Sequence, residues 1–132
     1  MPSSSEHSDK AELHVGFLRT INATTQPEWA AVVAFYTALH LIERLAACES
    51  IHHDRHQTRL FYLLRHKKHR IIHSDMSVLR DASEKARYGT VNQFRRAFPG
   101  DRTSRILIGE CLARIQEHVE ASFKVSNSPS EN

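Results

Sequence analysis

Apolar residues recur at helical spacing along most of this chain, and no segment has the strict alternation that is typical of a β-strand. The clearest pattern starts at Pro27 and continues to about Cys48, with apolar side chains on almost every face. A helix that is apolar nearly all round is typical of the buried centre of a helical bundle. Other segments carry apolar residues on one face only, and these are residues 9–21, 54–70, 74–88, 90–98 and 102–123.

Local signals indicate where several of these helices begin and end. Asp9 with Glu12 and Thr90 with Gln93 form capping-box patterns, and Gly89 is suited to end a helix. Because short connections favour antiparallel neighbours, we predict an all-α fold: an up-and-down antiparallel bundle of about five helices plus a short extra helix. The residues expected to face its core, outside the central helix, are Leu13, Phe17 and Ile21, then Leu60, Phe61, Leu64 and Ile71, then Met76, Leu79, Ala82 or Ser83, and Ala86, and finally Ile108, Leu112, Ile115, Val119 and Phe123.

The length of 132 residues suits one domain with a sizeable core. We assign residues 9–125 to a single helical domain. Residues 1–8 and 126–132 are polar and rich in serine, and they are predicted to be flexible tails. Cys48 and Cys111 each lie within an apolar helical pattern, which indicates reduced core residues rather than a disulfide.

The sequence disfavours secreted and membrane-spanning classes of protein. Residues 1–8 contain no apolar segment of the kind found in signal peptides. The longest uncharged stretch, residues 29–42, is shorter than a membrane span. Together with the cysteines, these observations predict a cytoplasmic protein that does not act at a membrane.

Histidine is unusually abundant, with ten residues in the chain, and six of them lie between His52 and His73. The same segment contains six lysines or arginines and a single acid, Asp54, so the net charge of +3 hides one strongly basic region. If one helix continued through this segment, positions spaced alternately by four and three residues would form a basic stripe on one face. The stripe consists of His52, His56, Arg59, Leu63, His66, Arg70 and His73.

Three interpretations of this basic segment are open. It can form a groove for phosphates, because arginine supplies paired donors and histidine can transfer protons. It can equally be a solvated basic face without a ligand. It can also be a zinc site in which His40 on the central helix joins His52, His53 and His56. Outside such sites, His40 is expected to be a hydrogen-bonded core residue.

Three short motifs follow one another in a fixed order along the chain. They are FYTALH at 35–40, HQTR at 56–59 and SEKARY at 83–88. Their order and spacing resemble the HEPN family (higher eukaryotes and prokaryotes nucleotide-binding domain), and the resemblance covers residues 29–88 best. It implies a HEPN-like helical bundle that is often dimeric, needs no cofactor and binds nucleotides or RNA.

The resemblance also implies more specific activities and partners. Many HEPN proteins are metal-independent ribonucleases with an R-x4-6-H motif, or partners of a minimal nucleotidyltransferase in toxin–antitoxin pairs, and others bind without catalysis. In this chain the motif matches only Arg59 to His66, and chance accounts for such a match where both residue types are abundant. Arg114 and His118, in the last helix, have only three residues between them. The expected partners are RNA or a nucleotide, a second copy of the chain and a nucleotidyltransferase-type antitoxin.

On this basis we predict His56 and Arg59 as a catalytic pair, in which His56 transfers a proton and Arg59 stabilises the phosphate. The residues predicted to bind nucleotide or RNA are His40, Arg55, His66, Arg70, Arg87 and Tyr88. The alternatives are a zinc-binding bundle with the histidine cluster described above, and a homodimeric interaction module without catalysis.

Overall fold

The computed structural model describes residues 2–127, and within this range it contains helices and no β-strand. The predicted all-α fold class is confirmed. The elements are α1 (Ser4–Thr20), α2 (Pro27–Cys48), α3 (His56–Arg65), a 3-10 turn (Arg70–Ile72), α4 (His73–Tyr88), α5 (Val91–Ala97), a π-helical segment (Thr103–Leu112) and α6 (Ala113–Asn127).

Helix α2 is the centre of the bundle, as predicted. It packs against α1, α4, the π-helical segment and α6, and Ala34, Phe35, Ala38 and Ile42 are fully buried. Burying a side chain as large as Phe35 stabilises a fold by about 2–3 kcal/mol relative to exposing it. By length and composition α2 also meets the criteria for a membrane-spanning helix, although 61% of its most apolar window is buried inside the bundle. The core helix of a soluble protein meets the same criteria.

Helix α1 begins at Ser4, earlier than the predicted start at Asp9. Its capping box is formed by Ser3 and Glu6, because the Ser3 hydroxyl accepts from the Glu6 N–H at 3.1 Å and the Glu6 carboxylate accepts from the Ser3 N–H at 3.3 Å. Residues that the sequence assigned to a flexible tail therefore lie in a helix, and His7 among them is buried.

The predicted inward face of α1 is wrong for Leu13 and Phe17, whereas Ile21 packs partly buried against the core as predicted. Leu13 and Phe17 are 71% and 55% exposed, whereas Ala11 and Leu18 are buried. Positions 7, 11 and 18 share one face of a helix, so burial of His7 fixes a rotation that turns Leu13 and Phe17 outward. Hydrophobicity alone does not favour this rotation, because the rotation places a histidine in the core and turns two large apolar side chains outward.

Helix α3 is shorter than the predicted helix over 54–70. It ends at Arg65, and residues 66–69 form a turn before the 3-10 turn. The basic stripe over 52–73 is consequently not one helix face.

The predicted inward face of α3 is wrong for Phe61, Leu64 and Ile71, whereas Leu60 packs partly buried against the core as predicted. Phe61 and Ile71 are 58% and 76% exposed, while the buried residues of α3 are Arg59, Tyr62 and Leu63. A buried ion pair between Arg59 and α2 sets this rotation, as described below for the candidate site.

The second half of the chain follows the predictions more closely. Met76, Leu79 and Leu112 are buried, and Thr90 with Gln93 forms the predicted capping box at the start of α5.

The predicted last helix is present, but its first part, Thr103–Leu112, is π-helical. Cys111 is buried as predicted, whereas Cys48 is exposed at the end of α2, so its assignment to the core is wrong. Of the predicted tail 126–132, the first two residues close α6 and the remainder lies outside the described residues.

Candidate phosphate site and histidine clusters

The carboxylate of Glu43 lies at the junction of α2, α3 and the loop between them. Glu43 is 1% exposed. Its Oε1 accepts hydrogen bonds from Arg59 Nε at 2.7 Å and from His53 Nδ1 at 3.0 Å, and its Oε2 accepts from the His53 backbone N–H at 3.2 Å. The Arg59 guanidinium also donates to the His53 carbonyl at 3.1 Å. This network fixes the loop and the start of α3 against the central helix.

Arg59 is connected in turn to His56. One Arg59 nitrogen, Nη1, lies 3.0 Å from His56 Nδ1. Because a guanidinium can only donate, His56 Nδ1 is the acceptor and the ring proton of neutral His56 lies on Nε2. Arg59 is 4% exposed, so the structure places it behind His56 as a positioning residue rather than at the surface.

His56 is a half-buried imidazole at the first position of α3. Its ring meets Phe35 edge-on at 5.1 Å. Burial lowers the pKa of His56, and the positive charges of Arg59, Arg80 and Arg87 lower it further, while Glu84 acts in the opposite direction. His56 is therefore neutral at pH 7.

The N-terminus of α3 is favourable for an anion. Within residues 2–127, no side chain caps it, and its first turn contains no acidic residue. The free N–H groups and the helix dipole at such an end attract negative charge.

Arg87 is held close to this helix end by groups of α2 and α4. Its Nη1 donates to the Tyr36 hydroxyl at 3.0 Å, and its Nε donates to the Ser83 carbonyl at 3.3 Å. Its guanidinium also lies 5.0 Å from the centre of the Tyr88 ring. The Ser83 hydroxyl is buried and has no hydrogen-bond partner among the described residues.

A groove of about 520 Å³ borders Arg87. It is lined by Glu28, Trp29, Val32, Ala86, Arg87 and Val91. Trp29 is 65% exposed at the groove, and Tyr88, beside Arg87, is 79% exposed. The surface thus combines a fixed guanidinium with two accessible aromatic rings.

The other residues predicted to bind nucleotide or RNA do not line this groove. His66 follows the far end of α3, 3.6 Å from Glu49, and Arg70 donates to the Leu64 carbonyl at 3.0 Å. Arg55 is exposed and immediately precedes His56. The structure therefore brings His56, Arg59, Arg87 and Tyr88 together, and Arg55 adjoins them.

His40 faces helix α1 rather than α3. Its Nδ1 lies 3.0 Å from Nδ1 of His7, and its ring stacks on that of His14 at 5.4 Å. Burial lowers the pKa of His40 to about 4, and the neighbouring imidazoles of His7 and His14 act in the same direction. His40 is therefore neutral at physiological pH.

A second histidine pair joins the segment after α3 to α6. His69 Nδ1 lies 2.9 Å from His118 Nε2, and His69 is 2% exposed. Burial, together with His118, lowers the pKa of His69 to about 4. Arg114 forms a two-pronged ion pair with Asp75, at 2.7 Å for the shortest contact. The structure thus uses Arg114 and His118 for packing between helices.

The four histidines considered for a metal do not form one cluster of free ligands. His40 is paired with His7, His53 donates to Glu43, and His56 accepts from Arg59. A different set is close together, since His7, Glu43 and His52 each present one ligand atom within 4.8 Å of the others.

Two residues of this region were missed from the sequence. Glu43 is the one acid of α2 beyond its first turn, and that position in an apolar helix is the only signal of its role. His7 has no comparable signal, because the segment around it reads as a polar tail.

Comparisons of the chain with protein-family models, with curated proteins and with solved structures find no match. Membership of the HEPN family therefore stays a prediction that rests on the three motifs.

Proposed function

We propose that this protein binds a phosphate-bearing ligand, RNA or a nucleotide, at the surface formed by His56, Arg87, Trp29 and Tyr88. One observation carries the proposal. Arg87 lines the groove that contains Trp29, and its charge also acts on His56 at the N-terminus of α3. Arg87 and His56 both lie near the Phe35 ring, with the Arg87 guanidinium 6.0 Å and the His56 ring 5.1 Å from its centre, so this region offers phosphates a guanidinium, an imidazole and a helix end.

The phosphates and the bases of the ligand would contact different groups on this surface. Arginine donates paired, charge-assisted hydrogen bonds to phosphate oxygens, and a helix N-terminus adds backbone N–H donors. Bases stack on exposed aromatic rings, each worth about 1–3 kcal/mol in single-stranded complexes. Trp29 and Tyr88 supply such rings next to Arg87. Unstacked single-stranded RNA fits this arrangement better than a duplex, whose bases are not accessible for stacking.

The contact between Arg59 and His56 favours binding over proton abstraction. A neutral His56 whose Nδ1 accepts from Arg59 carries its proton on Nε2, so it donates to a phosphate oxygen instead of removing a proton from a 2′-hydroxyl. With EDTA present, we therefore expect labelled single-stranded RNA to stay intact during incubation with the protein, as followed on a denaturing gel. Cleavage that persists in the wild type and disappears in His56→Ala would replace the binding proposal by a metal-independent ribonuclease.

Replacing Arg87 by alanine is expected to weaken binding of fluorescein-labelled single-stranded RNA about tenfold. One charge-assisted contact is worth roughly 1.5–3 kcal/mol, and part of this is recovered by neighbouring cations. The affinity is measured by fluorescence polarisation at several salt concentrations. The logarithm of the affinity should fall linearly with that of the salt concentration, and the slope should decrease by about 0.7–1 in the variant.

Arg70→Ala is the matched comparison, because it removes the same charge at the far end of α3. We expect it to change the affinity less than twofold. A larger effect of Arg70→Ala than of Arg87→Ala would place the ligand on the basic segment itself and contradict the proposed surface.

From the HEPN resemblance we also propose a homodimer, a nucleotidyltransferase-type antitoxin as partner and a role in a toxin–antitoxin pair. A cytoplasmic location is a separate proposal, which rests on the two cysteines.

A further inference from the structure

A cluster of three potential metal ligands connects α1, α2 and the loop that precedes α3. One ring nitrogen of His7, one carboxylate oxygen of Glu43 and one ring nitrogen of His52 lie within 4.8 Å of one another. His7 and Glu43 are 4% and 1% exposed, whereas His52 lies at the surface. The cluster is therefore rigid on two sides and open to solvent on the third.

His7 contributes a nitrogen that has no hydrogen-bond partner. Nδ1 of His7 is 3.0 Å from His40, but Nε2 is buried and unpartnered among the described residues. Leaving a buried polar atom unpaired costs about 1–3 kcal/mol, so binding a ligand at Nε2 would recover free energy. When Nδ1 of His7 donates to His40, the lone pair of Nε2 is free to coordinate an ion.

Neighbouring side chains orient two of the three potential ligands, as they do in metal sites. A histidine that binds a metal through one ring nitrogen usually donates a hydrogen bond from the N–H of the other nitrogen to a fixed acceptor, and this bond orients the ring. His40 is placed to be such an acceptor, because its Nδ1 lies 3.0 Å from Nδ1 of His7. Glu43 is oriented in the same way, since its Oε1 accepts from Arg59 and His53.

The second oxygen of Glu43 faces the remaining ligand. Nδ1 of His52 lies 3.9 Å from Oε2 of Glu43. Two ligands of one tetrahedral zinc ion are about 3.3 Å apart, given Zn–N and Zn–O distances of roughly 2.0–2.1 Å. His52 is exposed in a loop, so a small movement of its side chain closes the difference.

We propose that His7, Glu43 and His52 bind one zinc ion, with His40 as the residue that positions His7. Two imidazoles and one carboxylate suit zinc better than magnesium or calcium, which prefer oxygen ligands. The exposed side of the cluster leaves the fourth position to water. Arg59 and Lys10 add positive charge near His7, so binding is expected to be weaker than at a zinc site without neighbouring cations.

The ion would hold α1 and the loop against α2. A ligand that binds only the folded state stabilises it by mass action, so the thermal midpoint should rise with zinc concentration. The proposal is independent of the phosphate surface, because its three ligands do not take part in that surface.

The test is a titration of the full chain with zinc, after treatment with EDTA and its removal, in competition with a chromophoric chelator. We expect one ion per chain in the wild type and an affinity at least tenfold lower in His52→Ala, which alters only an exposed residue. In thermal unfolding of the same samples, the midpoint temperature should rise with zinc concentration in the wild type and stay constant in His52→Ala. His7→Ala should also lose binding, and His52→Ala keeps the test valid if that variant does not fold.

His73→Ala is the control for removal of a histidine elsewhere, and it should bind zinc like the wild type. The proposal is overturned by equal zinc affinity of the wild type and His52→Ala, by loss of binding in His73→Ala but not in His52→Ala, or by the absence of competition with the chelator.

Discussion

Replacing Glu43 by alanine is expected to lower the free energy of unfolding by about 3–5 kcal/mol, because it leaves a buried cation without its counter-charge. The guanidinium of Arg59 is 4% exposed and donates to Glu43 at 2.7 Å. The same substitution removes the acceptors of the His53 side chain and backbone N–H. The measurement is urea unfolding at pH 7.5, followed by circular dichroism.

Glu120→Ala is the control for this prediction. Glu120 forms an ion pair with Arg44 at 3.1 Å, but its side chain is 65% exposed, so its loss should cost less than about 1 kcal/mol. In a double variant, Glu43→Leu with Arg59→Met, part of the lost stability should return, since apolar side chains replace both charges. A loss below about 1 kcal/mol in Glu43→Ala would show that the network around α3 does not hold the bundle together.

Acidification from pH 6.5 to pH 5 is expected to destabilise the protein by about 1.5 kcal/mol through His69 alone. The pKa of His69 is lowered to about 4 in the folded state, from about 6.5 in the unfolded chain. In this window the unfolded state binds more protons, so the stability is complete above pH 6.5 and is lost as the pH falls towards 4. One proton per molecule corresponds to about 1.4 kcal/mol for each pH unit.

The contribution of His69 is isolated by a variant. His69→Gln is less stable at pH 7.5, but its free energy of unfolding should fall less steeply between pH 6.5 and pH 5 than that of the wild type. His73→Gln should keep the steep dependence. Unfolding in urea at four pH values, with EDTA in every sample, measures the slopes, and equal slopes for the wild type and His69→Gln would contradict the buried neutral pair with His118.

The class of fold could be predicted from the sequence, because helical periodicity and capping residues are local signals. Helix α2 and the capping box of Thr90 and Gln93 are examples. The rotations of α1 and α3 could not be predicted, because each depends on a buried polar contact between distant residues. His7 turns α1 towards His40, and Arg59 turns α3 towards Glu43. In both helices a polar residue is buried while more apolar residues are exposed.

The candidate site was predictable in part. The motifs placed His56, Arg59 and Arg87 in one set, and the structure brings Arg87 of α4 close enough to His56 and Arg59 of α3 for its charge to act on His56. The predicted basic stripe does not form one surface. Helix α3 ends at Arg65, and this separates His66 and Arg70 from His56. The groove beside Trp29 had no signal in the sequence, since it is formed by residues of α2, α4 and α5.

The fluorescence of Trp29 tests the proposed surface most directly, because it is the single tryptophan of the chain and it lines the groove next to Arg87. Single-stranded RNA is titrated into the protein, and tryptophan emission and polarisation of the labelled RNA are followed in parallel. We expect emission to be quenched with the same midpoint as the polarisation change, and Arg87→Ala to shift both midpoints about tenfold to higher concentration. Binding that changes the polarisation but leaves the emission of Trp29 unchanged would contradict the account.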